Sequence, residues 1–325
     1  MKFMSNKTKK LMNHYKNEVI NLNIQGIQFI VKYRTFKLPK SIELQIPKLI
    51  SQIKYAIKNS NNRVSPEHIK IIYYPINQKK QVPNSNETFK VDHVNSGVTS
   101  IWRNSQKREI IIFRREEAVK VLLHELLHVF EYHCVKHFTL NSNELICLGK
   151  TLELKQNWDE AIVETWAAVL TNENIYKKRN MNTEKIFSIF QTAKILRHYG
   201  FNNWNEFWIP NSTPNQIIPS NPSLFPYYIL KSAFINNLEL FKETFNFNSI
   251  SKCNSRTSSD IIPFLENKNW IAKVDKAIEE YDISNQLWKK TMRMTYPNYT
   301  FLTKKSKVEK KKTKKIWKTI RKKKS

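Results

Sequence analysis

The sequence predicts an α+β protein, in which a mixed N-terminal α/β region leads through a β-hairpin into a mostly helical region. Three observations support this order. Segments rich in β-branched and aromatic residues, which are typical of strands, concentrate before residue 115. From Glu116 onward the apolar residues take a helical spacing, and from about residue 303 the chain is dense in lysine. The predicted parts are therefore an N-terminal α/β region, 1–115, a helical region, 116–302, and a basic tail without stable structure of its own, 303–325.

The N-terminal region contains strand-like segments on both sides of one helix-like segment. Residues 28–34 and 69–76 are rich in isoleucine, valine and aromatic side chains, so both predict strands. Between them, residues 46–58 place isoleucines at helical spacing along one side. Two further apolar segments, 98–102 and 109–113, are separated by a polar turn and therefore predict a β-hairpin.

The helical region opens with a broad apolar stripe at helical spacing. Residues 116–133 predict a long amphipathic helix, because their apolar side chains recur with a period close to 3.6. Glu116 and Glu117 are expected in its first turn, where acidic side chains suit the helix dipole. Prolines cluster between residues 210 and 226 and predict an irregular connector. Further helices are expected over residues 158–171, 183–199, 224–246 and 268–291.

The chain is strongly basic, with a formal net charge of +28. Residues 304–325 hold 13 lysines and arginines against one acid, Glu309, and so contribute 12 of these net positive charges. A basic surface favours nucleic acid, acidic membranes or acidic proteins as partners. Similar tails also serve as import signals, so the expected partner of this tail is a polyanion or an import receptor.

The cysteines and the apolar segments indicate an intracellular protein. The chain has three cysteines, Cys134, Cys147 and Cys253, without a CxxC pair. This sparse, odd set argues against a disulfide framework and favours a reducing compartment. No apolar run of signal-peptide type follows the charges of the first 16 residues. The sequence also lacks an uninterrupted apolar stretch of about 18 residues, so no membrane span is expected.

The segment with the clearest chemistry is His124-Glu125-Leu126-Leu127-His128. Residues four apart share one face of a helix, so both imidazoles can reach the same metal ion. Glu125 lies beside them and is suited to take a proton from water as a general base. The motif therefore predicts a metal site with a catalytic carboxylate.

The third metal ligand distinguishes the families of zinc peptidases that share this motif. The pattern HExxHxxGxxH needs a glycine and a third histidine, but Glu131 and Cys134 occupy those positions. A continuing helix would direct Cys134, His133 and His137 away from the two motif histidines. The ligand is therefore expected further along the chain.

Residues 157–167, Asn-Trp-Asp-Glu-Ala-Ile-Val-Glu-Thr-Trp-Ala, supply that ligand. Together with the HExxH motif, this segment resembles the metal helices of the gluzincins, the group that contains the thermolysin-like proteases and the large zinc aminopeptidases. The resemblance covers about residues 97–170. It implies that Glu160 completes a Zn²⁺ site with His124 and His128, with 31 residues between Glu160 and His128.

The same resemblance implies a supporting role for Glu164, which would orient a ligand histidine through its other ring nitrogen. Two histidines and one carboxylate leave a fourth position for water, as catalytic zinc sites do. The A/T-biased composition and the basic tail also suggest relatives among the large DNA viruses.

Peptide hydrolysis needs two further components. One is a hydrogen-bond donor for the oxyanion. Tyr227, Tyr228 and His198 are candidates because they are polar-tipped residues on predicted helices, and Tyr228 is the first choice. The other component is a strand that holds the substrate backbone, and residues 98–102 are placed for this just before the metal helix.

The best-supported function is a zinc-dependent peptide-bond hydrolase that acts on a peptide or protein substrate. Two alternatives remain open and are compatible with it. The chain could be a zinc-binding pseudoenzyme or structural protein, or a nucleic-acid-associated protein acting through its basic tail. Glu125 argues against a purely structural site, since such sites do not need a base and favour closed, cysteine-rich ligand sets.

Overall fold

The computed structural model describes residues 4–15, 17–34, 38–60, 64–85, 87–102, 106–130, 135–139, 158–175, 181–208, 218–219, 221–247, 254–284 and 286–296, with the backbone alone at 17–19, 135–139 and 254–258. The described strands are β1 (Asn17–Ile24), β2 (Ile27–Tyr33), β3 (Ile69–Tyr73), β4 (Gly97–Ile101), β5 (Arg108–Ile112), β6 (Val135–Thr139) and β7 (Asn254–Thr257). The described α-helices are α1 (Asn6–Met12), α2 (Lys40–Glu43), α3 (Ile46–Lys58), α4 (Val91–Val94), α5 (Ala118–Val129), α6 (Asp159–Ile175), α7 (Met181–His198), α8 (Trp204–Trp208), α9 (Lys231–Asn236), α10 (Leu238–Thr244), α11 (Ile262–Leu265), α12 (Lys268–Glu279) and α13 (Gln286–Lys290).

These elements form an α+β protein, as the sequence predicts, with the mixed sheet in its N-terminal part and helices after it. The chain divides into two compact units. The described residues of Met1–Lys79 and Asn95–Phe130 belong to the first unit, and those of Lys80–Val94 and Glu131–Tyr296 to the second. Helix α5 therefore belongs to the same unit as the sheet. The predicted boundary at residue 115 instead places the sheet and this helix in different regions.

The sheet of the first unit has the strand order β1-β2-β3-β5-β4. The outer pairs, β1–β2 and β4–β5, are antiparallel, while β3 runs parallel to β2 and to β5. Ile71 and Ile72 in β3 are both buried, although consecutive side chains point to opposite faces. Continuous burial of this kind is typical of parallel strands that are covered on both faces.

The predicted strands and the predicted hairpin are confirmed by β2, β3 and the β4–β5 pair. The helix predicted over residues 46–58 is confirmed by α3. Strand β1, which precedes these elements, was not among the predicted ones.

Each face of the sheet packs against helical segments. Helix α5 packs on β4, on β5 and on α3. A separate apolar cluster contains Val98, Ile111 and Met4, and Val98 lies opposite Ile111 in the β4–β5 register. Because side chains alternate along a strand, Gly97 and Thr99 face α5 while Val98 faces the cluster. This alternation places two β4 residues against the helix that carries the metal motif.

Helix α5 is buried at every position except His128, which is half-buried. It begins at Ala118, so the expectation that Glu116 and Glu117 occupy its first turn is wrong. Glu117 has a left-handed backbone with φ 59° and cannot continue the helix toward its N-terminus. At the other end, Arg108 Nη1 donates a hydrogen bond to the Val129 carbonyl over 2.9 Å and satisfies a terminal acceptor.

The chain beyond α5 departs from the predicted continuous helix. The helix ends at Val129, and Glu131, His133 and Cys134 lie outside the described residues, as does the tail from residue 303. His137 lies in strand β6, which pairs in parallel with β7. The expectation that a continuing helix directs His137 away from the motif histidines therefore does not apply, because His137 lies in a strand.

The second unit contains α6 and α7, close to the predicted ranges, and a more broken C-terminal half. The predicted helix 224–246 consists of a π-helical turn over Phe225–Leu230 followed by α9 and α10. Asn237 separates α9 from α10 because its backbone, φ −113° and ψ 50°, is not helical. The predicted helix 268–291 is divided into α12 and α13.

Buried polar side chains fix the segment that follows α13. Lys194 donates hydrogen bonds to the side chain of Gln191 over 2.6 Å and to the carbonyl oxygens of Trp288 and Thr291. Burial lowers the pKa of Lys194 well below its ordinary value. These three acceptors satisfy the buried amine. Without hydrogen-bond partners its burial would cost free energy of folding.

A buried ion pair lies next to this segment. Lys231 Nζ is 2.7 Å from Glu184 Oε1 and donates to the Met294 carbonyl over 2.7 Å. The second oxygen of Glu184 accepts a hydrogen bond from the backbone N–H of Tyr296 over 2.7 Å. Helices α7 and α9 therefore hold residues 291–296 through paired charges as well as apolar contacts.

Among the described helices, none combines the length and apolar character that crossing a membrane requires.

Candidate metal centre

The two motif histidines lie one turn apart on α5, with their imidazoles directed at each other. The Nε2 atoms of His124 and His128 are 3.1 Å apart, and the ring planes meet at 73°. A tetrahedral zinc ion with Zn–N bonds of about 2.0–2.1 Å separates two ligand nitrogens by about 3.3 Å. The spacing of the pair therefore agrees with the spacing of two ligands of one ion.

A carboxylate joins the two imidazoles. One ligand atom from each of His124, His128 and Glu160 lies within 4.8 Å of the other two. His124 is buried, and the other two residues are half-buried. All three residues predicted as ligands are thus brought together, and their donor set fits zinc with a fourth position for water.

Glu160 lies in the first turn of α6, where an acidic side chain suits the helix dipole. Its Oε2 accepts a hydrogen bond from the hydroxyl of Tyr227 over 2.9 Å. Hydrogen bonds of this kind orient a carboxylate toward a metal. Tyr227 therefore stands beside the proposed ligand set.

Tyr228, the first choice for the oxyanion donor, has a different position. Its hydroxyl donates to the Met292 carbonyl over 2.7 Å, and the residue is only 1% exposed. A phenol that is fixed in the core is not available to a substrate. Tyr227 therefore replaces Tyr228 as the candidate donor.

Glu125 follows His124 directly, and its carboxylate contacts strand β4. The hydroxyl of Thr99 donates to Glu125 Oε2 over 2.7 Å. Gly97 lies at the other oxygen, since a Cβ built on it would be 2.7 Å from Oε1. Thr99 belongs to the strand that was predicted to hold the substrate, but neither Thr99 nor Gly97 was predicted to lie against Glu125. The alternation of side chains along the hairpin shows that the two residues share one face of the strand. That this face packs against α5 is a tertiary contact, which a local sequence pattern does not encode.

Comparison of the chain with protein-family models, curated proteins and solved structures finds no match. A cluster of two histidines and one glutamate can occur in unrelated folds. The functional argument therefore rests on the site and not on the fold.

His198, the third candidate donor, is committed to local contacts. Its Nε2 lies 2.9 Å from the carbonyl oxygen of Glu87, and its ring packs edge-on against Phe89. Burial lowers the pKa of His198, and the hydrogen bond to the Glu87 carbonyl partly opposes this shift. The residue thus fastens the segment around Phe89 to the end of α7.

Glu164 lies one turn after Glu160 in α6 and is buried, with 1% of its surface exposed. Burial agrees with the predicted supporting role better than with an exposed acidic face, which is the alternative for a helical glutamate. Its action on a ligand histidine stays a prediction.

Proposed function

We propose that the chain is a zinc-dependent peptidase of gluzincin type, which hydrolyses a peptide bond with Glu125 as the general base. The observation that carries this proposal is the convergence of His124, His128 and Glu160 within 4.8 Å. A general-base candidate follows the first ligand directly in sequence. This combination of three ligands and an adjacent carboxylate is suited to metal-assisted hydrolysis.

Zinc bound by these ligands would polarise the scissile carbonyl and lower the pKa of a bound water to about 7. Glu125 would take the proton from the attacking water and pass it to the leaving amine. Its low exposure of 7% keeps the carboxylate away from bulk water. The proton would therefore be transferred within a confined site.

Strand β4 is proposed to hold the substrate backbone. It forms one edge of the five-stranded sheet and packs on α5 beside Glu125. An extended peptide can add to such an edge through main-chain hydrogen bonds. Pairing with β4 would bring the peptide bond close to the Glu125 carboxylate.

Tyr227 is proposed to stabilise the oxyanion. Its hydroxyl already lies 2.9 Å from a carboxylate oxygen of a proposed metal ligand. A donor at this position could turn from Glu160 to the developing negative charge on the substrate oxygen. The alternative of a zinc-binding pseudoenzyme predicts no catalytic effect from this hydroxyl.

The experiment that tests the function is cleavage of a diverse peptide library by the zinc-loaded protein. Substitution of Glu125→Gln keeps the size of the side chain and removes the base. We expect this variant to retain zinc and to lose cleavage by at least about a hundredfold. Glu109→Gln, on the sheet, serves as a matched control with unchanged activity. A zinc-loaded wild type that cleaves no peptide would favour the pseudoenzyme.

The basic tail is proposed as a separate binding element. Residues 304–325 carry 13 basic residues and one acid. Dense like charge of this kind binds polyanions through counterion release or is bound by import receptors. The three cysteines without a CxxC pair favour a reducing, intracellular setting for both activities.

A further inference from the structure

We infer that Thr99, together with Gly97, positions Glu125, so that strand β4 orients the base as well as receiving the substrate. This inference rests on the proposed function, because it assigns a role toward the base of that reaction. Thr99 is a positioning residue here, since it acts through the Glu125 carboxylate and not directly on the substrate or the metal.

The first observation is the hydrogen bond from Thr99. Its hydroxyl lies 2.7 Å from Glu125 Oε2 and 3.5 Å from the backbone carbonyl of Glu125. The shorter contact is the stronger one, and a bond from a hydroxyl to a carboxylate is charge-assisted. One oxygen of the base is thereby fixed to the strand.

The second observation is the space at Gly97. A Cβ at this position would lie 2.7 Å from Glu125 Oε1, 3.1 Å from Glu125 Cγ and 2.8 Å from Val121 Cγ1. Distances below 3.0 Å are not tolerated without a shift of the neighbouring atoms. Gly97 therefore leaves the space that Oε1 and the Val121 side chain occupy, and a larger residue at position 97 would displace one or both of them.

The two contacts come from residues two apart on the same strand, which share one face. Thr99 holds one carboxylate oxygen, and Gly97 leaves room for the other. A glutamate side chain has several rotatable bonds, so the hydrogen bond from Thr99 and the space that Gly97 leaves for Oε1 together favour one orientation of the carboxylate. The same strand is the one proposed to pair with the substrate, and the base is therefore oriented relative to the bound peptide.

A purely structural role for Thr99 makes different predictions. In that case the hydroxyl only satisfies a buried carboxylate, and its loss would reduce stability without a specific effect on turnover. The two roles are separated by comparing Thr99→Val, which keeps the shape and removes the hydroxyl, with Thr99→Ser, which restores it. Thr8→Val is the matched control, because Thr8 is also buried and lies on α1.

For a positioning role, we expect Thr99→Val to lower kcat by about 10–100-fold, the scale for loss of a hydrogen bond to a charged group, with KM and zinc content unchanged. Thr99→Ser should recover most of kcat, and Thr8→Val should keep the wild-type kcat. Added to Glu125→Gln, Thr99→Val should have no further effect, because the base that it positions is already absent. An unchanged kcat in Thr99→Val, or a full additional loss in the double variant, would overturn the inference.

A crystal structure of zinc-loaded Thr99→Val tests the inference independently of turnover. We expect the Glu125 carboxylate to occupy a rotated position or several positions in this variant, and a single one in the wild type. If the wild type binds zinc and cleaves nothing, the proposed function fails, but this structure still decides whether Thr99 orients Glu125. A Glu125 side chain that is unmoved in Thr99→Val would refute the positioning role.

Discussion

The hydroxyl of Tyr227 donates to Glu160 Oε2 over 2.9 Å, so a phenol lies against the carboxylate of the proposed metal site. The next residue, Tyr228, instead donates to the Met292 carbonyl over 2.7 Å. Two adjacent tyrosines thus have separate roles, one beside the site and the other in the core.

The first prediction is that Tyr227→Phe lowers kcat by about 10²–10³-fold, the usual effect of losing one oxyanion donor. Zinc affinity should fall by no more than about 10–100-fold, because only a hydrogen bond to a ligand is lost. Steady-state kinetics at saturating zinc measures the effect. Tyr228→Phe is the matched control, which should lower stability and leave kcat nearly unchanged. Equal kcat values for the wild type and Tyr227→Phe would exclude Tyr227 as the donor.

The second prediction concerns the buried pair of Lys231 and Glu184. Lys231→Met leaves the Glu184 carboxylate buried without its counter-charge, and we expect a loss of about 3–5 kcal/mol in the free energy of unfolding. The double variant Lys231→Met/Glu184→Leu should be more stable than Lys231→Met, because no unpaired charge remains. Urea denaturation of the three proteins tests this order. A single variant as stable as the wild type would mean that the pair contributes nothing to the fold.

The third prediction is a pH dependence of stability caused by His198. Burial lowers the pKa of this residue in the folded state below the ordinary value of 6.5. Above pH 6.5 the imidazole is neutral in both the folded and the unfolded state, so its titration does not change the free energy of unfolding. As the pH falls from 6.5 through the folded-state pKa, the unfolded chain takes up the proton first, so stability decreases.

Substitution of His198→Gln should therefore flatten this acid-side decrease, as measured by thermal unfolding between about pH 7 and pH 5. His14→Gln is the control, because His14 is exposed. If the wild type and His198→Gln lose stability in parallel over this range, the buried imidazole is not the cause.

The fourth prediction concerns the basic tail. A chain that ends at Thr303 should bind zinc and cleave peptides like the full-length chain. It should bind DNA or RNA more weakly and with a shallower salt dependence, because fewer counterions are released. Binding titrations at several salt concentrations measure both effects. Equal affinity of the two chains at low salt would remove the polyanion role, and loss of cleavage would make the tail part of the enzyme.

Local patterns predicted the elements that carry the site. The hairpin β4–β5 and helix α5 follow from alternation and from a 3.6-residue period, both of which act over short stretches of sequence. The start of α5 was misplaced because Glu117 takes a left-handed backbone, which is unusual for glutamate. Acidic residues before an apolar stripe otherwise favour the first turn of a helix.

Contacts between distant residues could not be predicted in the same way. The position of β3 between β2 and β5 is set by long-range pairing. Adjacent residues of the π-helical turn at Phe225–Leu230 point in different directions, so the choice between Tyr227 and Tyr228 depends on which side of this turn packs against Glu160. The hydrogen bond from Tyr227 to Glu160 spans 67 residues, and no sequence period encodes it.

The central claim is that His124, His128 and Glu160 bind one zinc ion, and the most direct test is the zinc content of purified protein. After removal of metal by a chelator and reconstitution with zinc, elemental measurement should give about one zinc per wild-type chain. His124→Ala and His128→Ala should lose it, Glu160→Ala should bind with affinity reduced by more than about 100-fold, and His198→Ala should retain it. Full retention of zinc by His124→Ala or His128→Ala would contradict the proposed site.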